Sequence, residues 1–198
     1  MILPQPIRDL IDHLSELPSI GPRQATRLAF YLLGEGRGAV KHLSLTLAEL
    51  LKVKVCARCF FIHQNSDEFC GICRDPNRDQ LTVLITEKET DLISLEKTGR
   101  YRGRYFLIGE IPRTGVLENW QKDRLGVLKK DLQTAGQAKE VILGFNPTAI
   151  GDFHAAILKK ELDGLAEKIS RLGRGLPTGG EIEFADDETL GASLERRS

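Results

Sequence analysis

Apolar residues recur along this chain with two different periods, and the change from one to the other divides it. Ile7, Leu10, Ile11, Leu14 and Leu17 lie three and four apart, which places them on one face of an amphipathic helix. That helix is expected to stop at Leu17-Pro18-Ser19-Ile20-Gly21-Pro22. Pro18 disfavours helix in the residue before it, Gly21 tolerates positive φ, and Pro22 suits the first turn of a new helix. Ala25, Leu28, Ala29, Leu32 and Leu33 mark that second helix, and Val40, Leu43, Leu47, Leu50 and Leu51 mark a third. From Leu81 onward, short apolar runs alternate with helical stretches. Leu81–Ile85, Arg104–Ile108, Val141–Phe145 and a segment near Lys168–Leu172 read as strands. Asp91–Glu96, Trp120–Gln133 and a stretch through Ile150, Phe153, Ile157 and Leu158 read as helices. The alternation predicts an α/β domain, a parallel sheet with helices on both faces.

Between these two regions lie all four cysteines, Cys56-x2-Cys59 and Cys70-x2-Cys73. A two-residue gap lets a pair of thiolates converge on one ion, and two such pairs supply the four soft ligands of a tetrahedral zinc site. Four thiolates leave no position for water, so the expected cofactor is one structural Zn2+. A redox dithiol or an iron–sulfur cluster is the competing reading of a four-cysteine set. His63, inside the loop, is expected to be solvated rather than a fifth candidate ligand. Nothing near Met1 reads as a signal peptide, and no apolar run reaches the roughly 20 residues that span a bilayer. The cytoplasm is therefore the expected compartment, where thiols stay reduced.

The chain has 198 residues, 41% of them apolar, and a formal net charge of +0. The balance is uneven, however: residues 1–60 hold eight Lys and Arg against five Asp and Glu. The first two helices and their turn resemble a helix-hairpin-helix, a motif that grips the nucleic-acid backbone without reading bases. A glycine turn leading into a helix N-terminus points backbone N–H groups at a phosphate. Gly21, Arg23 and Arg27 are the candidate DNA-binding residues, with the two arginines on one face of the second helix.

In parallel sheets, function collects beyond the carboxyl ends of the strands. Glu87 follows the first strand, with Asp91 close behind, and Asn146-Pro147-Thr148 follows the third, with Asp152 opening the next helix. Carboxylates at two neighbouring strand ends can hold Mg2+. Glu87, Asp91, Asn146 and Asp152 are therefore candidates for a metal site or a partner surface. Glycines between Arg174 and Gly180 could cradle a phosphate, although no Gly-Lys-Ser/Thr is present to make a P-loop. The acidic run from Glu181 to Asp187 is expected to be a solvated face or an interaction tail.

Taken in order, these pieces resemble the bacterial recombination mediator family RecR. The likeness rests on Leu17-Pro18-x-Ile20-Gly21-Pro22, the four cysteines and Cys73-x-Asp75-Pro76-x-Arg78-Asp79. It rests further on Leu95-Glu96-x-Thr98-Gly99-x-Tyr101-x-Gly103-x-Tyr105, Asn146-Pro147-Thr148 and Arg174-Gly175-Leu176-Pro177-x-Gly179-Gly180. The resemblance implies a helix-hairpin-helix segment (1–53), a four-cysteine zinc finger (54–79), a Toprim-like α/β domain (80–174) and a short C-terminal tail (175–198) in subunit contact. It also implies a non-enzymatic homotetrameric ring able to encircle DNA, working with RecO or RecF to load RecA on single-stranded DNA. Glu87 would stand in the place of the Toprim glutamate. The Asp-x-Asp that Toprim nucleases and primases add at a later strand end is missing at Asn146-Pro147-Thr148, which argues against that Mg-dependent alternative. Lys88, Gly109–Arg113 and Ile150-Gly151-Asp152 depart from the family's usual pattern, all near the Toprim site. Through the resemblance, the zinc site is expected to fix the relative orientation of hairpin and α/β domain.

Overall fold

The computed structural model of the protein describes residues 2–195. Its chain divides into two compact units at Val53. In the first, α1 (Gln5–Ser15) and α2 (Pro22–Gly34) pack as a hairpin, followed by α3 (Arg37–Glu49) and a 3-10 turn over Leu50–Lys52. Ala25 and Ala29 are small enough to be fully buried where the helices meet. The turn closes with Ile20 N–H donating to the Leu17 carbonyl (3.1 Å). The left-handed residue in it is Ser19, at φ 65, whereas Gly21 is extended at φ −85 and serves as the N-cap of α2. The expected role of Gly21 in positive φ is thus taken by Ser19.

The second unit begins with a two-stranded antiparallel pair, β1 (Lys54–Val55) and β2 (Ile62–His63), and the short helix α4 (Gly71–Arg74). There follow β3 (Asp79–Thr86), α5 (Glu89–Lys97), β4 (Gly103–Leu107), α6 (Asn119–Ala135), β5 (Ala138–Leu143), α7 (Ala149–Glu161), β6 (Ala166–Arg171) and α8 (Asp187–Glu195). The four long strands form one parallel sheet in the order β4-β3-β5-β6. Alternation along the strands sorts their side chains. Val83, Ile85, Phe106, Val141 and Leu143 face one way and meet Leu125, Leu128 and Leu132 of α6 and Ala155 and Leu158 of α7. Leu84, Tyr105 and Ile142 face the other way and meet Leu92 and Leu95 of α5. Helices therefore cover both faces, as the alternation of strands and helices predicts.

Several residues behind the family resemblance have structural work here. Asp75 turns the chain by accepting from Asn77 N–H (2.9 Å). Arg78 then reaches the Glu96 carboxylate and the Gly103 carbonyl, joining the segment after the last cysteine to α5 and β4. Tyr101 donates its hydroxyl to the Arg104 carbonyl (2.9 Å), within reach of the Thr82 carbonyl (3.2 Å). A Cβ at Gly103 would lie 2.3 Å from that hydroxyl, so glycine is required.

A charged triad was not legible in the sequence. Arg104, 3% exposed, donates through Nε to the Gln80 carbonyl (2.9 Å) and through Nη1 to Asp131 of α6. Arg58 binds the same carboxylate (3.1 Å). Burial alone would raise the Asp131 pKa, but the two guanidiniums outweigh it and hold the carboxyl below its ordinary value. Its contribution to stability is therefore present above the unfolded carboxylate pKa, near pH 4, and is lost as pH falls through the lower folded value. Asp131→Asn should cost roughly 3 kcal/mol at neutral pH, because it strands Arg104. The deficit should shrink below about pH 4, as read by urea denaturation at each pH.

Candidate metal centre and nucleic-acid interface

The four cysteine thiols come together in the folded chain. Their sulfurs all lie within 4.8 Å of one another, and Cys59 Sγ is 3.5 Å from Cys70 Sγ. Tetrahedral zinc with bonds of about 2.3 Å needs sulfurs just under 4 Å apart, so the cluster fits. Each half is shaped by its own backbone. Phe60 takes φ 63 after the first pair, with its N–H on the Cys56 carbonyl (3.0 Å), and Cys70 caps α4. Backbone donors already point at sulfur: Cys70 N–H at Cys56 (3.3 Å) and Cys73 N–H at Cys70 (3.4 Å). Four thiolates gathered this closely would repel one another strongly without a cation between them. A divalent ion resolves that conflict by taking all four as thiolates. His63 is half-buried rather than solvated and stays outside the cluster, its Nδ1 accepting from Asn65 N–H (3.2 Å).

In the hairpin, Arg23 and Arg27 are both exposed on α2. No side chain caps the helix, so its first N–H groups remain open for a ligand. A Cβ on Gly21 would meet nothing within 4 Å, so nothing in the described fold requires glycine there.

The residues at the strand ends are occupied in other ways. Glu87, 12% exposed, accepts from Ile111 N–H (3.3 Å) and lies 2.9 Å from His154 Nδ1. Asp152 pairs with Arg171 and Arg174, and the first of these guanidiniums does most to hold its carboxyl below the ordinary range. Asn146 belongs to a tight helix entry. Thr148 caps α7 by accepting from Gly151 N–H (3.1 Å), and a Cβ at Gly151 would lie 2.0 Å from the Asn146 carbonyl oxygen. Asp91 and Asn146 share a cavity of about 520 Å³ with Arg171, Arg174, Asp186 and Glu188. Among the described residues, the four cysteines are the group of His, Cys, Asp or Glu side chains gathered closely enough for an ion; Glu87, Asp91 and Asp152 form no such group.

The tail closes this end. Arg174 also pairs with Glu188, and Leu176 N–H donates to Ser193 Oγ of α8 (2.9 Å). Pro177–Gly180 is a turn closed by Gly180 N–H on the Pro177 carbonyl (2.9 Å), which spends that donor within the chain rather than on a phosphate. The acidic run includes a helix start, with Asp186 accepting from Thr189 N–H (2.8 Å).

His154 is the site residue that sequence reasoning missed. The available signal was its spacing, four residues from both Ile150 and Leu158, which places a histidine on the apolar stripe of α7.

Family descriptions match the chain on either side of residues 52–81: "RecR, helix-hairpin-helix" over residues 7–51, "Toprim domain" over 82–173 and "RecR, C-terminal" over 175–198. A protein of Roseiflexus castenholzii named Recombination protein RecR is 40% identical across 99% of this chain and 95% of its own length. The chain belongs to the RecR family. The RecR protein of Deinococcus radiodurans is 40% identical over 100% of the chain and 88% of its own length, and that of Frankia alni is 37% identical over 96% and 95%. Within a RecR frame, the matched regions are the helical hairpin, the Toprim sheet and the tail, and the cysteine cluster lies between the first two. None of the described helices is long and apolar enough to cross a membrane.

The metal site makes a direct prediction. Metal-free protein reconstituted with Co2+ should bind one equivalent and show the thiolate charge-transfer and tetrahedral d–d absorption of a four-sulfur site. Cys59→Ser should lose the four-sulfur spectrum, and chelation should lower the melting temperature of the wild type.

Proposed function

We propose that this protein is a non-enzymatic, DNA-binding mediator of recombinational repair in the cytoplasm, holding one structural zinc at Cys56, Cys59, Cys70 and Cys73. The observation that carries the DNA-binding part is the hairpin. Two exposed arginines stand one turn apart beside an uncapped helix N-terminus, behind a glycine that the described fold does not itself need. Phosphate would accept from the free N–H groups of α2 while Arg23 and Arg27 neutralise it, an interaction blind to sequence.

Family membership supports the wider reading, in which the chain works with RecO- or RecF-type partners to help load RecA on single-stranded DNA. A homotetrameric ring is supported by apolar surface without a partner in the described chain. α3 buries no residue, its Leu47 is exposed together with Leu50 and Leu51 just after it, and so are Ile182 and Phe184 in the tail. Surface of this kind is what subunit interfaces cover. The Toprim region, with Glu87 and Asp152 engaged by protein groups and Asp91 and Asn146 beside the tail, is read as a partner surface rather than a metal-dependent nuclease or primase site.

Replacing both Arg23 and Arg27 with Ala should weaken single-stranded DNA binding by roughly tenfold or more and flatten the dependence of log K on log salt by about one unit per arginine. Zinc content should not change. Fluorescence anisotropy across a salt series measures both effects, and undiminished binding by the double variant would sink the hairpin assignment. Turnover of DNA with Mg2+ or Mn2+, abolished by Glu87→Gln, would favour the nuclease or primase instead.

A further inference from the structure

His154, 3% exposed, presents both ring nitrogens to oxygen atoms. Nδ1 lies 2.9 Å from Glu87 Oε1, and Nε2 lies 3.2 Å from the Pro112 carbonyl oxygen. A carbonyl cannot donate, so Nε2 carries a proton and gives it to Pro112. The contact between Nδ1 and Oε1 holds a second proton, on whichever of the two atoms it resides. The same Oε1 accepts from Ile111 N–H (3.3 Å). The end of β3 is thereby fastened to two successive residues of the loop between β4 and α6, to Ile111 directly and to Pro112 through the imidazole.

The rest of that loop is fastened on either side of the bolt. Fully buried Gln121 donates to the Glu110 carbonyl (3.1 Å), and Ile111 and Leu117 enter the main core. Gly115, at φ 73, lies against Phe153 and Ile157 of α7. The neighbouring charges have partners of their own: Lys88 pairs with Glu110 at 2.5 Å, and Asp152 pairs with Arg171 and Arg174. The groups facing Oε1 are hydrogen donors, whereas a bound Mg2+ requires about six oxygen ligands around it.

We propose that His154 is a positioning residue that closes the Toprim glutamate to divalent cations and locks residues 109–118 in a single shape. Its ring stands against Oε1 and uses the lone pairs there that a cation at Glu87 would need. This inference rests on reading the Toprim region as a non-enzymatic partner surface.

Hydrogen exchange on the full-length, zinc-loaded protein tests the lock, and Mn2+ titration followed by electron paramagnetic resonance tests the closure. His154→Ala should speed amide exchange within residues 109–116 by roughly tenfold, most clearly at Ile111, while the zinc-finger amides keep wild-type rates. Glu87→Gln should speed exchange at Ile111 by less than His154→Ala does, because both contacts fall on Oε1 and an amide atom there can accept from Ile111 or donate to Nδ1 but not both. If His154→Ala does not fold, His154→Gln, which can hold one of the two bonds, should give intermediate exchange. The wild type should bind no Mn2+ through Glu87. Unchanged loop exchange in the folded His154 variants would overturn the lock and leave the non-enzymatic reading standing. Mn2+ binding by the wild type that Glu87→Gln removes would overturn the closure, and DNA cleavage accompanying it would overturn the non-enzymatic reading as well.

Discussion

One outer edge of the parallel sheet is β4, and an edge strand presents backbone donors and acceptors that have no strand beside them. Here the first cysteine pair supplies the missing neighbour. Leu107 N–H donates to the Cys59 carbonyl (2.9 Å), and the next two residues straddle the strand. Phe60 packs against Phe106, ring edge to face at 5.5 Å, on the side of α6, while Phe61 joins Leu84 and Tyr105 on the side of α5. All five residues of β4 are consequently buried, although it is the end strand of its sheet. A segment this short has little core of its own, so the position of its backbone depends on the cysteine cluster. The cysteine cluster is therefore part of the α/β unit and serves as its edge cap.

The opposite feature of the sheet, its carboxyl end, is where parallel folds ordinarily place chemistry. In this chain the groups with that potential are spent on holding segments together. Glu87 anchors a loop, Asn146 and Gly151 bring the backbone of α7 into close approach, and Asp152 gathers the arginines that tie the tail. What remains accessible is a cavity with both signs of charge, bounded by the tail as well as by the sheet.

Much of the architecture was legible in the sequence because hydrophobic period reports local geometry directly. The three N-terminal helices, the four parallel strands and the helices between them follow from periods near 3.6 and from short apolar runs. Less legible were features whose signal is weak over a few residues. β1 and β2 are two residues each, and α8 starts within an acidic run whose exposed Asp186 also caps it. The hairpin turn was placed correctly, but a left-handed serine replaced the expected glycine conformation, since Ser19 precedes an Ile20 N–H that must reach back to Leu17.

The sequence by itself determined that four thiols would meet, because two short Cys-x2-Cys turns constrain their sulfurs locally, and that α2 would carry two arginines on one face, because a helix places residues four apart together. Whether a given carboxylate would be free or engaged was decided only by tertiary structure. Glu87 meets His154 across 67 positions of chain, and Asp131 meets Arg58 across 73. No local period encodes such pairs. They form because packing α6 and α7 on one face of the sheet brings polar groups into low-dielectric surroundings, where each must find a partner or remain unsatisfied at a cost.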